Sequence, residues 1–169
     1  EEVFPEKLPV DLGEYSYPEK EKWGEIKHFL LNLKKEGESV GGRVSVVIDG
    51  CPQALGEPAF DKLKADFAKA LMSIGAVTSF SFGLGEKMAD LPGSEVSSNS
   101  SHFGGIEGGI SNGERITLQL TFKPTSTIGE KAKEGRHDPC ILPRAIPVVE
   151  AMTRVVLADH FLRQRAYDR

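Results

Sequence analysis

The sequence predicts an α+β fold in which helices and strands form a layered sheet-and-helix sandwich. Two segments place apolar residues at every second position, as strands do, at Arg43–Ile48 and Ile116–Phe122, and a third short strand is expected at Val77–Phe82. Other segments repeat apolar residues at helical spacing. Long loops join some of these elements, so strands and helices do not alternate regularly, and a doubly wound parallel sheet is disfavoured.

The chain opens with an irregular segment followed by a helix. Residues 1–17 mix prolines, glycines and acids without a period. A helix is expected from Pro18, which suits a first helical turn, with Ser16 as its cap and Gly37 as its end. Its apolar positions are Trp23, Ile26, Phe29, Leu30 and Leu33. Residues 1–36 therefore form the irregular segment and first helix, and residues 37–169 form the core of the chain.

Two further helices are expected in that core. The first runs from about Phe60 to Ser73, and its apolar face comprises Leu63, Phe67, Ala70 and Leu71. The second runs from about Ala145 to Tyr167, and the residues expected to face the core are Val148, Met152, Val155, Val156 and Leu162. The long loops are Leu84–Glu114 and Lys123–Pro139. Loops of that length in a compact domain are usually functional or disordered.

Composition excludes several classes of protein. The chain has 169 residues, 39% apolar and 27% charged, with a net charge of −4, so nucleic acid and anionic membranes are not expected partners. Residues 131–169 nevertheless carry eight bases and five acids, so an anion is expected in that part. No apolar run approaches membrane-spanning length. With only Cys51 and Cys140, the sequence predicts structural thiols in a reducing, cytoplasmic compartment.

Two loops have the composition of anion-binding sites. Gly104–Ile116, GGIEGGISNGERI, contains five glycines that let a ligand approach backbone N–H groups, although a flexible surface loop has the same composition. Lys123–Thr127, KPTST, follows a strand and combines an ammonium with three hydroxyls. That combination fits a phosphate cradle or a solvated turn.

A third loop, Gly135–Cys140 with the sequence GRHDPC, combines several reactive residue types. Arg136 offers a fork for phosphate or carboxylate, and Asp138 beside His137 suggests an acid–base pair or a simple Asp-Pro turn. His137 and Cys140 are spaced like two of the four ligands of a zinc site. The sequence has no second pair at such a spacing, so no metal is expected. The remaining histidines are expected at exposed or locally satisfied positions: His28, His102 and His160.

Taken in order, these segments resemble the chorismate synthase family. The matching blocks are GESVGGRV (37–44), ALGEPAFDKLKADFAKALMSIGAV (54–77), GGIEGGISNGERI (104–116), KPTST (123–127) and GRHDPCILPRAIPVVEAM (135–152). The family's chain is about twice as long, and these blocks match its C-terminal portion. A first residue of Glu1, not Met, is consistent with a piece of a longer chain.

The resemblance implies a fold and a reaction. Family members fold as a layered β-α-α-β sandwich of two related halves, of which this chain would form one, and assemble as homotetramers. They convert 5-enolpyruvylshikimate 3-phosphate to chorismate by 1,4-elimination of phosphate. The reaction needs reduced FMN without net redox change, and in some members NADPH reduces the flavin.

The resemblance also assigns roles to individual residues. Asp138 matches the acid that relays a proton to or from the flavin at N5. The FMN contacts fall on Gly75, Ala76, Gly108, Lys123, Pro124, Thr125, Ser126, Thr127 and Arg136. The family's two pocket histidines and its substrate-binding arginines lie in the N-terminal portion, which this chain lacks. Alone it is therefore expected to be inactive; the alternative is a folded assembly module that binds no FMN by itself.

Overall fold

The computed structural model describes residues 11–134 and 137–167. Within them, no helix combines the length and hydropathy needed to cross a membrane. The elements in chain order are α1 (Trp23–Glu36), β1 (Gly42–Ile48), α2 (Leu63–Met72), β2 (Val77–Phe82), α3 (Gly93–Val96), β3 (Ile106–Glu107), β4 (Ile110–Ser111), β5 (Ile116–Phe122), α4 (Glu130–Glu134) and α5 (Leu142–Tyr167).

The centre of the fold is an antiparallel sheet in the order β1-β5-β2. The register places Val44 of β1 and Phe80 of β2 on either side of Leu120, so the three apolar faces coincide. Helices α2 and α5 pack against this face and against each other. Every second residue of β5 is buried: Ile116, Leu118, Leu120 and Phe122. The α+β prediction and all three strands are thereby confirmed.

The first helix begins later than the sequence indicated. A 3-10 turn occupies Lys20–Lys22 and α1 starts at Trp23, so the expected start at Pro18 is wrong. Ser16 does not cap it; it lies in a preceding turn with a φ of 54°. The Trp23 indole N–H donates to the Tyr17 carbonyl at 2.8 Å, which ties this turn to the helix. At the other end Gly37 adopts the left-handed conformation expected of a helix stop.

Helix α2 is also shorter than expected, because it begins at Leu63 and not at Phe60. The Leu63 N–H donates to the Gly109 carbonyl at 2.8 Å, so the β3–β4 hairpin provides an acceptor at the start of the helix. Phe60 has a φ of 54° and is 93% exposed. The predicted face is otherwise confirmed, since Leu63, Phe67 and Leu71 are buried and Ala70 packs against them.

Helix α5 confirms part of the predicted core face and corrects the rest. Val156 is buried and Met152 packs against the core, as expected. Val148, Val155 and Leu162 were expected inside, but they are 47%, 65% and 63% exposed. The buried positions are Ala145, Val149, Thr153, Val156 and His160. The helix is apolar on two faces, with adjacent pairs such as Val155 and Val156, so spacing alone could not decide which face meets the sheet.

The glycine-rich stretch before β5 has a structural role. The Ser111 hydroxyl donates to the Pro52 carbonyl at 2.6 Å and accepts from the Leu55 N–H at 2.9 Å, which fixes the hairpin to the turn after β1. A Cβ at Gly104 would lie against the backbone nitrogen of Gly83, and its φ of +58° also favours glycine.

Candidate functional site

Three loops meet at one end of the sheet, and we call them the loop cluster: residues 37–41 after α1, 123–127 after β5 and 137–140 before α5. The Val40 N–H donates to the Pro139 carbonyl at 2.8 Å, and Val40 forms a parallel bridge with Cys140. Ser39 Oγ donates to the Thr125 carbonyl at 2.8 Å. Thr125 Oγ1 in turn donates to the Asp138 carbonyl at 3.1 Å. These bonds connect all three loops.

Gly75 and Ala76 lie at the edge of the loop cluster. The Lys123 N–H donates to the Ala76 carbonyl at 2.9 Å, so the turn after α2 adjoins the start of the 123–127 loop. Ala76 has a φ of 71°, a conformation that costs a residue with a Cβ about 1 kcal/mol or more. Gly75, which could adopt it without strain, has an ordinary φ and is exposed.

The 123–127 loop presents donors that the rest of the described chain does not use. The backbone N–H groups of Thr125, Ser126 and Thr127 have no acceptor among the described residues. The ammonium of Lys123 and the hydroxyls of Ser126 and Thr127 are likewise without a described partner, and all three side chains are exposed. Pro124 has no N–H and is exposed. Such a row of donors with a cation can bind an anionic group.

Asp138 forms an ion pair that the sequence did not predict. Its Oδ2 lies 2.8 Å from Nη1 of Arg144, in the first turn of α5. The Asp138 side chain is 35% exposed and that of Arg144 is 54% exposed, so the pair is accessible to a ligand. Only one feature of the sequence pointed to this pair: Arg144 is a cation at the start of a helix, a position at which the helix dipole favours acids.

His137 is buried and contacts a different loop. Its Nε2 donates to the Glu38 carbonyl at 2.8 Å, and its Nδ1 is buried with no partner in the described part of the chain. No described contact joins it to the Asp138 side chain, so the acid–base pair suggested by their adjacency is not formed. Among the described residues no group of three or more potential metal ligands occurs.

Gly108 is not brought into the loop cluster. It lies in the β3–β4 turn, exposed and with open space at its Cβ position, and its carbonyl accepts from Lys62 Nζ at 2.7 Å. That places it by the first residue of α2, whereas Ala76 follows the last. Ten helical residues span about 15 Å. Arg136 lies outside the described residues.

Both cysteines are free thiols, as expected. Burial raises the pKa of the Cys51 thiol and of the Cys140 thiol above its usual value. Because the thiolate is the reactive form, neither residue has the character of a nucleophile.

One histidine expected at an exposed or locally satisfied position is in the core. The side chain of His160 is 1% exposed, and its Nε2 donates to Asp66 Oδ2 of α2 at 2.9 Å. The partners are distant in sequence, so only the packing of α5 on α2 reveals the bond. His102 is partly buried, with Nδ1 3.1 Å from the Val96 carbonyl oxygen.

Comparison with known proteins places this arrangement in a family. The sequence model of the family described as "Chorismate synthase" matches residues 6–162. Chorismate synthase of Methylacidiphilum infernorum is 42% identical, over 94% of this chain and 50% of its own length. That of Bdellovibrio bacteriovorus is 50% identical, over 82% of this chain and 41% of its own length.

A solved structure gives the same result for the fold. A crystal structure of chorismate synthase superposes with a TM-score of 0.76 and 32% identity, covering 88% of this chain and 45% of that chain. The chain thus spans about half the length of the relatives it matches. The fold, the matched sequence and the ordered blocks agree, and the chain belongs to the chorismate synthase family.

Proposed function

We propose that this chain supplies one half of a chorismate synthase, the C-terminal portion. In the complete enzyme it would take part in converting 5-enolpyruvylshikimate 3-phosphate to chorismate and phosphate, with reduced FMN as cofactor. The observation that supports this most is the loop cluster, where unpaired donors at Ser126 and Thr127 lie on the same connected loops as Asp138.

The residues of the cluster fit an anionic flavin. Lys123 and the N–H groups of Thr125, Ser126 and Thr127 would bind its negatively charged groups, since they lack other described partners. Ala76, whose carbonyl accepts from the Lys123 N–H, and the adjacent Gly75 would border the same site. When bound, reduced FMN supplies electron density as the phosphate leaves, which is the cofactor's own chemistry.

Asp138 would hold or move a proton at its carboxylate. Thr125 fixes its backbone and Arg144 fixes Oδ2, while Oδ1 has no partner among the described residues. A carboxylate held in this way can accept a proton at one defined position, which is the geometric condition for general acid–base catalysis.

The chain alone should not complete the reaction. It lacks the half that would bring the family's pocket histidines and substrate-binding arginines, so the substrate would not be positioned. Two open surfaces are available to that half. One is the exposed apolar side of α5; the other is a groove of about 620 Å³ between α5, β1 and residues 12–18. We further propose the homotetramer of the family for the complete enzyme.

The cofactor site can be tested in a completed enzyme, by which we mean this chain fused behind the N-terminal portion of the Bdellovibrio relative. Lys123→Ala should weaken FMN binding about 10-fold or more, because it removes a charge-assisted contact. Lys69→Ala, an exposed lysine of α2, is the matched control. Flavin fluorescence quenching measures both; equal dissociation constants for the two variants would contradict the assignment.

The alternative is that the isolated chain is a folded assembly module that binds no FMN by itself. The position of Gly108 favours it, because the expected contacts lie at both ends of α2. Titration of FMN into the 169-residue chain separates the two. Saturable quenching that Lys123→Ala weakens would indicate a half-site that binds alone, and no quenching would indicate a site formed only between the two halves.

A further inference from the structure

We propose that Arg144 is the positioning residue for Asp138, holding the carboxylate so that one oxygen remains available to the ligand. The inference rests on the proposed function of Asp138 and adds a residue to it. The reaction chemistry assigned no role to Arg144. The proposal rests on the ion pair in which Arg144 Nη1 lies 2.8 Å from Asp138 Oδ2.

The geometry fixes Asp138 at two points. Thr125 Oγ1 donates to its backbone carbonyl, which holds the residue in the loop cluster. Arg144 then takes Oδ2, and no described residue occupies Oδ1. Because the backbone carbonyl and Oδ2 of Asp138 are both held, rotation of the carboxylate is restricted and Oδ1 has a defined direction. A proton-transfer group needs this kind of orientation.

The position of Arg144 in α5 is unfavourable unless it has a specific partner. Arg144 lies in the first turn, where the positive end of the helix dipole repels a cation. Two other arginines of the helix have an acid one turn away on α5 itself: Arg154 contacts Glu150, and Arg163 contacts Asp159 at 2.7 Å, with Asp61 outside the helix only at 3.5 Å. Arg144 instead reaches out of the helix to the loop before it.

The positive charge of Arg144 has a second effect on the Asp138 carboxylate. An unpaired carboxylate at Asp138 would repel an anionic cofactor and an anionic substrate. The guanidinium cancels that charge, so the carboxylate can lie next to an anion and still act on a proton. Both effects pass through Asp138, and this makes the proposal testable as a coupling between two residues.

The first test measures kcat, KM and the FMN dissociation constant in the completed enzyme. Arg144→Gln should lower kcat about 10- to 100-fold, as loss of an orienting partner typically does. It should also raise KM and the FMN dissociation constant, because the Asp138 carboxylate without its guanidinium repels both anions. Arg144→Lys keeps the charge and should recover part of kcat. Arg163→Gln, on the same helix but away from both the cluster and the groove beside β1, is the matched control and should leave kcat unchanged.

The second test repeats Arg144→Gln in an Asp138→Asn background. If Arg144 acts through Asp138, it should change kcat by less than about twofold there. An equal loss in both backgrounds, or a kcat within twofold of the unsubstituted enzyme for Arg144→Gln alone, would overturn the proposal. If the unsubstituted completed enzyme makes no chorismate, the proposed function fails, and the pairing is decided by the next measurement.

The pairing itself can be measured without catalysis. In ¹⁵N NMR spectra of the 169-residue chain, the guanidinium signals of Arg144 should show restricted rotation that Asp138→Asn abolishes, whereas those of Arg154 should not change. Guanidinium signals of Arg144 that are the same with and without Asp138→Asn would overturn the pairing on which the proposal depends.

Discussion

At the scale of single residues, Asp138 is the residue to which the family resemblance assigns a catalytic role, and two described residues hold it in place. Sequence resemblance assigned it a proton-relay role, and the structure surrounds it with Thr125 and Arg144. The sequence could point to Asp138 because the proposed role is tied to the local GRHDPC motif. It could not identify the pair with Arg144, because a helix start separates the two residues and only the folded loop brings them together.

Replacing Asp138 tests the proton-relay role directly. Asp138→Ala in the completed enzyme should lower turnover about 10²- to 10⁴-fold, the range typical of a lost general acid or base. Asp159→Ala, an exposed acid on α5 paired with Arg163, serves as the control. Turnover of Asp138→Ala equal to that of the control would leave Asp138 with only its turn-forming role.

The two thiols provide a prediction that depends on pH. Burial raises the pKa of Cys51 and of Cys140, so each carries less thiolate in the folded chain than in the unfolded one at any pH below that raised value. At pH 8, labelling with a thiol reagent should be slower in the native chain than in urea, because the folded chain holds less of each residue as the reactive thiolate. The native rate should rise as pH increases toward the raised pKa. Equal rates in the native and unfolded chain would contradict the raised pKa of both thiols, of which Cys51 is buried and Cys140 is half-buried.

At the scale of elements, the strands were predictable and the orientation of α5 was not. Side chains of a strand point alternately to its two faces. In β5 the four apolar residues therefore share one face, and in β1 Val44, Val46 and Ile48 share one face. Helix α5 instead has apolar residues on two sides, and the choice between them depends on the sheet and on α2. The outer side carries Val148, Val155 and Leu162 at heptad-like spacing.

Adjacent valines of α5 test its orientation. Val156 is 8% exposed and Val155 is 65% exposed, so Val156→Ala should lower the free energy of unfolding by about 2 kcal/mol and Val155→Ala by less than about 0.5 kcal/mol. Urea unfolding of the 169-residue chain measures both. The reverse order of effects would contradict the orientation of α5 that buries Val156 and exposes Val155.

The contact between α2 and α5 gives a second comparison at this scale. Asp66→Ala would leave the buried Nε2–H of His160 without an acceptor and should cost about 1–3 kcal/mol of unfolding free energy. Asp61→Ala removes an exposed partner of Arg163 at 3.5 Å and should cost less than about 0.5 kcal/mol. Equal costs in urea unfolding would mean that the His160 pair contributes no more than a surface ion pair.

At the scale of the whole molecule, the chain has its own core and spans about half the length of the relatives that it matches. The sheet, α2 and α5 bury a continuous apolar cluster, whereas the outer side of α5 and the groove beside β1 remain open. Family membership and fold class could be predicted from sequence because ordered motifs and strand alternation carry them. The separation of Gly108 from Lys123–Thr127 could not, since it depends on how the hairpin packs at the start of α2.

Chorismate formation is the measurement that tests the central claim most directly. The 169-residue chain and the completed enzyme would each be supplied with reduced FMN and 5-enolpyruvylshikimate 3-phosphate under anaerobic conditions. We expect no chorismate from the chain alone and sustained turnover from the completed enzyme. Turnover by the chain alone would contradict the claim that it provides only half of a site, and an inactive completed enzyme that is folded and binds FMN would contradict its assignment as a chorismate synthase half.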